Sequence, residues 1–362
     1  MSEWVEGAGE AFLKSKEDEG ATGDYFKTMT RHINVFSKSL HFMPVSEVTQ
    51  PQIAKLLTDV AEKKIEAIDP ATGKKKKLGG KTNRERVRAT LHHFFSWCAE
   101  EGLLGENPSN PVTHTRKGKT NHRDRLLTLE EMREIWQATA DQTDAYNQIV
   151  RLLMLTGQRR TQFGSLQESE VWFQGLPYPE VQFGPVFFWA PKRMKTQRQK
   201  STKQHRLPMT KKVMDILLAR PEVAGRPLFF GEGKGGFQGW SKAKAALDER
   251  IHEARKKRLG AGAEPMPYWV HHDLRHTFST RCKELPGVLS QVVEAVLHHV
   301  SSEDSGKKGV AGIYDHSEYM LGKRDVLEKW EAYIMAEVAA KLPGEENLPT
   351  SGNRPSARQA VA

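Results

Sequence analysis

From about residue 22 the apolar positions of this chain recur at helical spacing. Phe26, Met29, Ile33 and Phe36 fall on one face. "PVSEVTQPQIAKLL" reads as a short turn followed by a helix capped at Thr49. In "TNRERVRATLHHFFSWCAEEG" the pair Thr82 and Glu85 has capping-box spacing, Val87, Leu91, Phe94, Phe95 and Cys98 make one face, and Gly102 stands where the helix should stop. Aromatic residues on such a face belong to a core rather than to a base-stacking surface. Residues 22–112 therefore read as a small all-helical domain, and residues 1–21 as an N-terminal extension.

The pattern breaks at "GENPSNPVTHTRKGKTNHRDR", where Pro108, Pro111 and a polar basic run predict a linker over residues 113–125. A second domain, residues 126–341, opens at "LTLEEMREIWQAT" with Thr128 and Glu131 again at capping-box spacing. Helices continue through "AYNQIVRLLMLTGQRR". Between Val171 and Met209, β-forming residues flank a basic turn, which predicts a small antiparallel sheet. Helices resume at Lys211. The last residues, 342–362, are rich in Pro, Gly, Ser and polar residues and read as disordered. There is no internal repeat.

Charge adds a partner to this outline. The chain has 362 residues and a formal net charge of +10, a balance that favours a polyanion, nucleic acid first. The cations are clustered. Gly73–Arg88 holds eight against one acid, Thr115–Arg125 five against one, and Lys192–Arg206 seven against none. One such run is as easily a solvated loop, but three together favour a nucleic-acid footprint. Lys81, Arg84, Arg86 and Arg88 in the first run, and Arg116, Lys117 and Lys119 in the second, are the candidate DNA-binding residues. The two cysteines, Cys98 and Cys282, are too few for a disulfide framework or a zinc quartet. No stretch of about 18 apolar residues offers a membrane span, and the N-terminus lacks the basic start and apolar run of a signal peptide. A reducing cytoplasm is the expected compartment.

The densest candidate chemistry is "YWVHHDLRHTFSTRC", Tyr268–Cys282. His272 and His276 are one helical turn apart, as metal ligands can be. Arg275 lies in the same turn, however, and a fixed cation disfavours binding another. A phosphate suits the segment better: His272 and Arg275 share a face, and a guanidinium offers a planar fork to two phosphate oxygens. A second arginine, Arg159, follows "LTG" at a helix junction. Alone such an arginine is most often a helix-end cation that interacts with the dipole.

Taken together these motifs resemble the tyrosine recombinases, specifically the phage-integrase group. The family's T-G-x-R segment is matched by Thr156-Gly157-Gln158-Arg159, and its hairpin lysine by Lys195 in "APKRMKTQRQ", with Lys192 as the rival. Its H-x-x-R box is matched by His272-Asp273-Leu274-Arg275. The second histidine is matched by His299 in "VLHHV" and the nucleophile by Tyr314 in "GVAGIYDHSEY". The resemblance covers about Thr22 to Trp330. It implies a mainly α protein: a helical core-binding (SAM-like) domain, then an α+β catalytic domain with a small antiparallel sheet. It also implies a site-specific recombinase, a phage or genomic-island integrase carried by a mobile element and acting in viral genome integration. Strands would be cut and rejoined through a 3′-phosphotyrosine, with no cofactor and no metal. Tyr314 would attack, Arg159 and Arg275 would hold the non-bridging oxygens, and Lys195 would protonate the departing 5′ oxygen. His272 and His299 would bond the phosphate or handle the tyrosine's proton, while His271 and His276 would be packing residues.

The implied partners are double-stranded DNA attachment sites and three further copies of the chain in a homotetramer on DNA. A host DNA-bending protein and an excisionase are further candidates. No membrane is involved, and the implied location is the bacterial cytoplasm, at the nucleoid. Members often carry an additional N-terminal arm-binding domain. About twenty residues precede the first helical domain here, so that domain is expected to be absent, or the chain incomplete at its start. Two positions and one spacing depart from the family pattern. Gln162 stands where an acid is usual, His298 where glycine is usual, and Tyr314 lies fifteen positions after His299, a longer gap than in compact recombinases. Tyr319 is the rival nucleophile. Two other readings stay open: a non-catalytic DNA-binding relic of the same fold, and a nicking-closing enzyme of the type IB topoisomerase kind.

Overall fold

The structure is a computed structural model that describes residues 4–68, 73–105, 109–118, 123–174, 184–190, 204–220, 227–231, 235–298 and 319–340. It divides into two compact units, Met1–Arg123 and Asp124–Ala362. Among the described residues no helix is long and apolar enough to cross a membrane.

The first unit contains helices α1 (Val5–Asp18), α2 (Gly23–Arg31), α3 (Gln50–Ala61) and α4 (Lys81–Glu100). Thr49 starts α3 as predicted, its backbone N–H donating to Gln52 Oε1 at 2.7 Å. Phe12, Ile33, Phe36, Leu57, Phe94, Phe95 and Cys98 lie in one core. Three expectations need correction here. The supposed extension includes α1, and Val5, Ala8, Phe12 and Leu13 carry it into that core. The unit is not all helical, because β1 (Ile65–Ile68) and β2 (Lys75–Leu78) pair as an antiparallel hairpin. Helix α4 is capped at Gly80 rather than Thr82. In addition, the predicted linker begins as part of this unit. Val112 is fully buried, and the backbone from Val112 to Arg116 receives hydrogen bonds from α4.

The second unit follows with α5 (Leu129–Ala138), α6 (Ala145–Thr156), α7 (Arg160–Gly164), β3 (Val171–Trp172), β4 (Val186–Trp189), β5 (His205–Pro208), α8 (Lys211–Leu218), α9 (Trp240–Leu259), α10 (His271–Cys282), α11 (Ser290–Leu297) and α12 (Met320–Tyr333). The predicted sheet is present, antiparallel in the order β3-β4-β5. The Thr128–Glu131 capping box also forms, with Thr128 N–H donating to Glu131 Oε2 at 2.9 Å and Glu131 N–H to Thr128 Oγ1 at 3.2 Å. Helix α6 is buried on nearly every side, and α7, α8, α10 and α12 pack around it. Cys282 lies in this second core, and neither cysteine is in a disulfide. Helix α12 is fastened by Trp330 Nε1, which donates to Met154 O at 2.8 Å, and by Glu331 Oε2, which accepts from Lys212 N–H at 3.0 Å.

Candidate active site

The site forms where two helices stop. Helix α6 ends at Thr156 and α11 at Leu297, and each chain end turns through a left-handed residue, Gly157 (φ 64°) and His298 (φ 49°). The final carbonyls of a helix lack partners within it and carry the negative end of its dipole. Here two side chains satisfy both ends together. Arg275 donates from Nη1 to Gly157 O (2.9 Å) and from Nη2 to Leu297 O (2.6 Å). Gln158 Nε2 donates to Thr156 O (3.0 Å) and Val296 O (2.8 Å). Gly157 is required twice over, since its φ is positive and a Cβ there would collide with the Phe278 ring.

Helix α10 delivers Arg275. Its N-terminus is fixed by Asp273, whose Oδ2 accepts the Val270 N–H at 2.9 Å, and Leu274, Phe278 and Cys282 face the core. Arg275 is only 3% exposed. Burial pulls its pKa down to about 9, the nearby charge of Arg159 pulls the same way, and Glu294 opposes both. It stays charged at neutral pH, but the carbonyls that hold it are dipoles and supply no counter-charge. An oxyanion would supply one.

Arg159 stands at the N-cap of α7, half-buried, and burial lowers its pKa too. Its backbone N–H donates to Gln162 Oε1 at 3.0 Å. Gln162 Nε2 is buried and has no hydrogen-bond partner among the described residues. His272 is exposed, one turn before His276, with the two rings nearly perpendicular at 4.7 Å. Its pKa is lowered by partial burial first, then by His276, Arg275 and Arg159. His271 faces elsewhere. Its Nε2 meets Tyr146 Oη at 2.8 Å, and burial carries its pKa down to about 4.

One residue was not singled out from the sequence. His205, the first residue of β5, is fully buried and lies parallel to Trp189 with its ring 4.8 Å from that of His298. Its Nε2 and Gln158 Oε1 are 3.2 Å apart. The Gln158 amide nitrogen is committed to two carbonyls, so its oxygen is the acceptor and His205 Nε2 carries the proton. Nδ1 is then a bare acceptor, with no partner among the described residues. Burial holds the ring's pKa far below its ordinary value, and the charges of Lys323, His298, Arg275 and Arg159 add to this. A strand position facing the core was readable in "HRLPM". The contact with Gln158, 47 residues away, was not.

The structure thus brings Arg159, His272 and Arg275 within electrostatic reach of one another. Lys195 and its rival Lys192, His299 and Tyr314 lie outside the described residues, as does Lys119. Tyr319 caps α12 with φ 51° and packs on the second core. Of the other candidate DNA-binding cations, Lys81, Arg86, Arg116 and Lys117 are exposed. Arg84 and Arg88 are not available in the same way. Arg84 pairs with Glu85 and donates to Arg116 O at 2.7 Å. Arg88 is buried, donating to Thr115 Oγ1 at 3.0 Å and Val112 O at 3.3 Å. They pin the start of the linker to α4. Among the described residues no group of three or more His, Cys, Asp or Glu could hold a metal ion.

No family model matches this sequence, and no curated protein matches it. Solved structures do match the fold. A lambda integrase dimer bound to a COC′ core site superposes with a TM-score of 0.57 at 16% identity, covering 83% of this chain and 96% of that one. The Tn1549 transposon integrase in complex with transposon right-end DNA gives 0.59 at 14% identity, covering 91% of this chain and all of that one (100%). A lambda integrase tetramer bound to a Holliday junction gives 0.55 at 16%, covering 85% and 81%. The fold, mainly helical with a small antiparallel sheet, is the one these proteins share.

Proposed function

We propose that the chain is a tyrosine recombinase of the integrase group, which breaks and rejoins duplex DNA at specific sites. The observation that carries this reading is the Arg159–Arg275 pair, set over two converging helix ends beside His272, on a fold shared with DNA-bound integrases. Two half-buried or buried guanidinium groups, neither ion-paired to a carboxylate among the described residues, suit a dianionic transition state. The carbonyls preorganise Arg275, so little reorientation accompanies the reaction. In this reading Tyr314 attacks the scissile phosphorus and the 5′ oxygen leaves, taking its proton from Lys195. The 3′ end stays on the tyrosine, so the phosphodiester energy is kept and no nucleotide cofactor is needed to reseal. His272 and His299 bond the phosphate or carry the tyrosine's proton. Four copies would act together on two sites, and the chain's origin is a phage or another mobile element.

The test begins by sequencing the junctions the protein makes between its own neighbouring DNA and a host chromosome, which supplies its sites. A nicked duplex carrying such a site should then trap a covalent protein–DNA adduct, in the presence of EDTA as in its absence. Tyr314→Phe should abolish the adduct and leave binding intact. Arg275→Ala should slow it by about 100-fold or more at saturating protein, the usual cost of one lost oxyanion donor. If Tyr314→Phe still forms the adduct, the nucleophile is assigned wrongly. If the wild-type chain forms none, the non-catalytic reading stands in its place.

A further inference from the structure

The first unit carries a feature that its helices do not explain. The β1–β2 hairpin presents Lys74, Lys75, Lys76 and Lys77 in succession, all exposed. Its root is fixed. Ile65 and Leu78 pair at the core end, Leu78 is buried, and the Gly80 N–H donates to Val60 O at 2.7 Å. Gly79 (φ 135°) leads out of β2 so closely past Val60 that any side chain there would strike its carbonyl. Toward the tip the register places Glu66 opposite Lys77, Ala67 opposite Lys76 and Ile68 opposite Lys75. Strand alternation then puts Lys75, Lys77, Glu66 and Ile68 on one face, away from the buried Leu78. Ile68 is 69% exposed, an apolar side chain beside a row of cations. Glu66 neutralises part of that row, its Oε2 lying 3.5 Å from Lys75 Nζ. Meanwhile Arg84 and Arg88, two of the four α4 cations that the sequence favoured for holding DNA, are engaged in pinning the chain that follows α4, which leaves Lys81 and Arg86 exposed on that helix.

We propose that this hairpin is a duplex-DNA-binding arm, a two-stranded ribbon whose lysines hold phosphates while Ile68 faces the groove. The inference rests on the reading of the chain as a DNA-acting protein, and it moves the first unit's main grip from helix α4 to the ribbon. A two-stranded ribbon fits the major groove of B-form DNA. Lysine is a point charge suited to phosphates at varied geometry, so the contact adds affinity without reading sequence. The glycine-held root gives the ribbon one direction from which to meet the duplex.

The test uses the full chain and a fluorescent random-sequence DNA duplex, titrated at several salt concentrations. One variant changes Lys74, Lys75, Lys76 and Lys77 to Gln. A second changes Lys14, Lys27, Lys38 and Lys55 to Gln, removing the same charge from exposed positions elsewhere in the first unit. All eight side chains are exposed, so both variants should melt like the wild type. The hairpin variant should bind roughly 10- to 100-fold more weakly at about 0.1 M salt. Its log K against log salt slope should be shallower by about 3, near 0.9 per lost phosphate contact. The control should keep most of the slope. Ile68→Ser should weaken binding a few-fold with the slope unchanged. An unchanged slope in the hairpin variant overturns the proposal, and so does an equal loss in both lysine variants. Failure of the wild-type chain to bind duplex DNA overturns the functional reading instead, which makes the two failures distinguishable.

Discussion

Gln162 shows how much one atom matters in this site. Its Oε1 accepts the Arg159 N–H, and its Nε2 is a buried donor with no partner among the described residues. A carboxylate keeps the acceptor, removes the orphaned donor, and sets a negative charge near two arginines that burial leaves under-compensated. Gln162→Glu should therefore stabilise the protein at pH 7, by about 1 kcal/mol if the change is worth one hydrogen-bond defect. The sign with pH follows from the partners. Arginine neighbours depress the new carboxyl's pKa in the folded state. The gain is thus complete above its unfolded pKa, about 4.3, and vanishes as pH falls through the folded value. Thermal melts at pH 7 and in acid check this, and a variant less stable than wild type at pH 7 would refute the account. The same residue marks what could be read in advance. The arginines and His272 stand in short local motifs and were legible. The pairings that hold them were not, because Arg275 meets Gly157 across 118 residues and Leu297 across 22.

At the scale of elements, the site depends on where α6 and α11 stop. The residue at 157 decides the first of these stops, and a side chain there meets both a left-handed backbone and the Phe278 ring. Gly157→Ala should cost about 2 kcal/mol or more by moving the α6 end against α10. It should also misplace the carbonyl that holds Arg275, so the proposed covalent-adduct formation should fall further than the lost stability accounts for. A chemical-denaturation midpoint close to wild type would count against this. His298 makes the matching turn at the end of α11 with φ 49°, where glycine would be unstrained. Histidine tolerates this region better than most side chains, and the ring of His205 lies against it. Elements were legible where their signal was local. Thr49 and Thr128 mark real helix starts because each has a Gln or Glu three residues on that reaches back. Thr82 mimics that signal, but the chain already turns at Gly79 and Gly80, so the helix begins earlier. The β1–β2 hairpin was missed because four consecutive lysines do not alternate. Helix α1 was missed because its buried face is built partly from Ala8 and Gly9, which carry little hydrophobic signal.

At the scale of the whole molecule, the described residues form two main cores with no residue in common, one within each unit. Cooperativity follows shared burial, so heating should give two calorimetric transitions. Phe94→Ala should lower only the first unit's transition, by about 3–5 kcal/mol for a large aromatic removed from a packed interior. A single transition that moves as a whole would show that the units unfold as one. Two histidines, His32 buried and His271 partly buried, place a further condition on both units. Burial lowers the pKa of His32 in the first unit and His271 in the second to about 4, so each favours the folded state while neutral. Their contribution is complete above about pH 6.5 and is lost as pH falls toward 4.

The chain has two cysteines, and they are divided between those cores: Cys98 in the first and Cys282 in the second, each with no surface exposed. A thiol-specific reagent can therefore reach either sulfur only after its own unit has opened. Labelling rates at the two positions, separated by peptide mass, time the opening of each half in the unaltered protein. Added DNA would slow one rate, the other or both, and so report which half it holds shut.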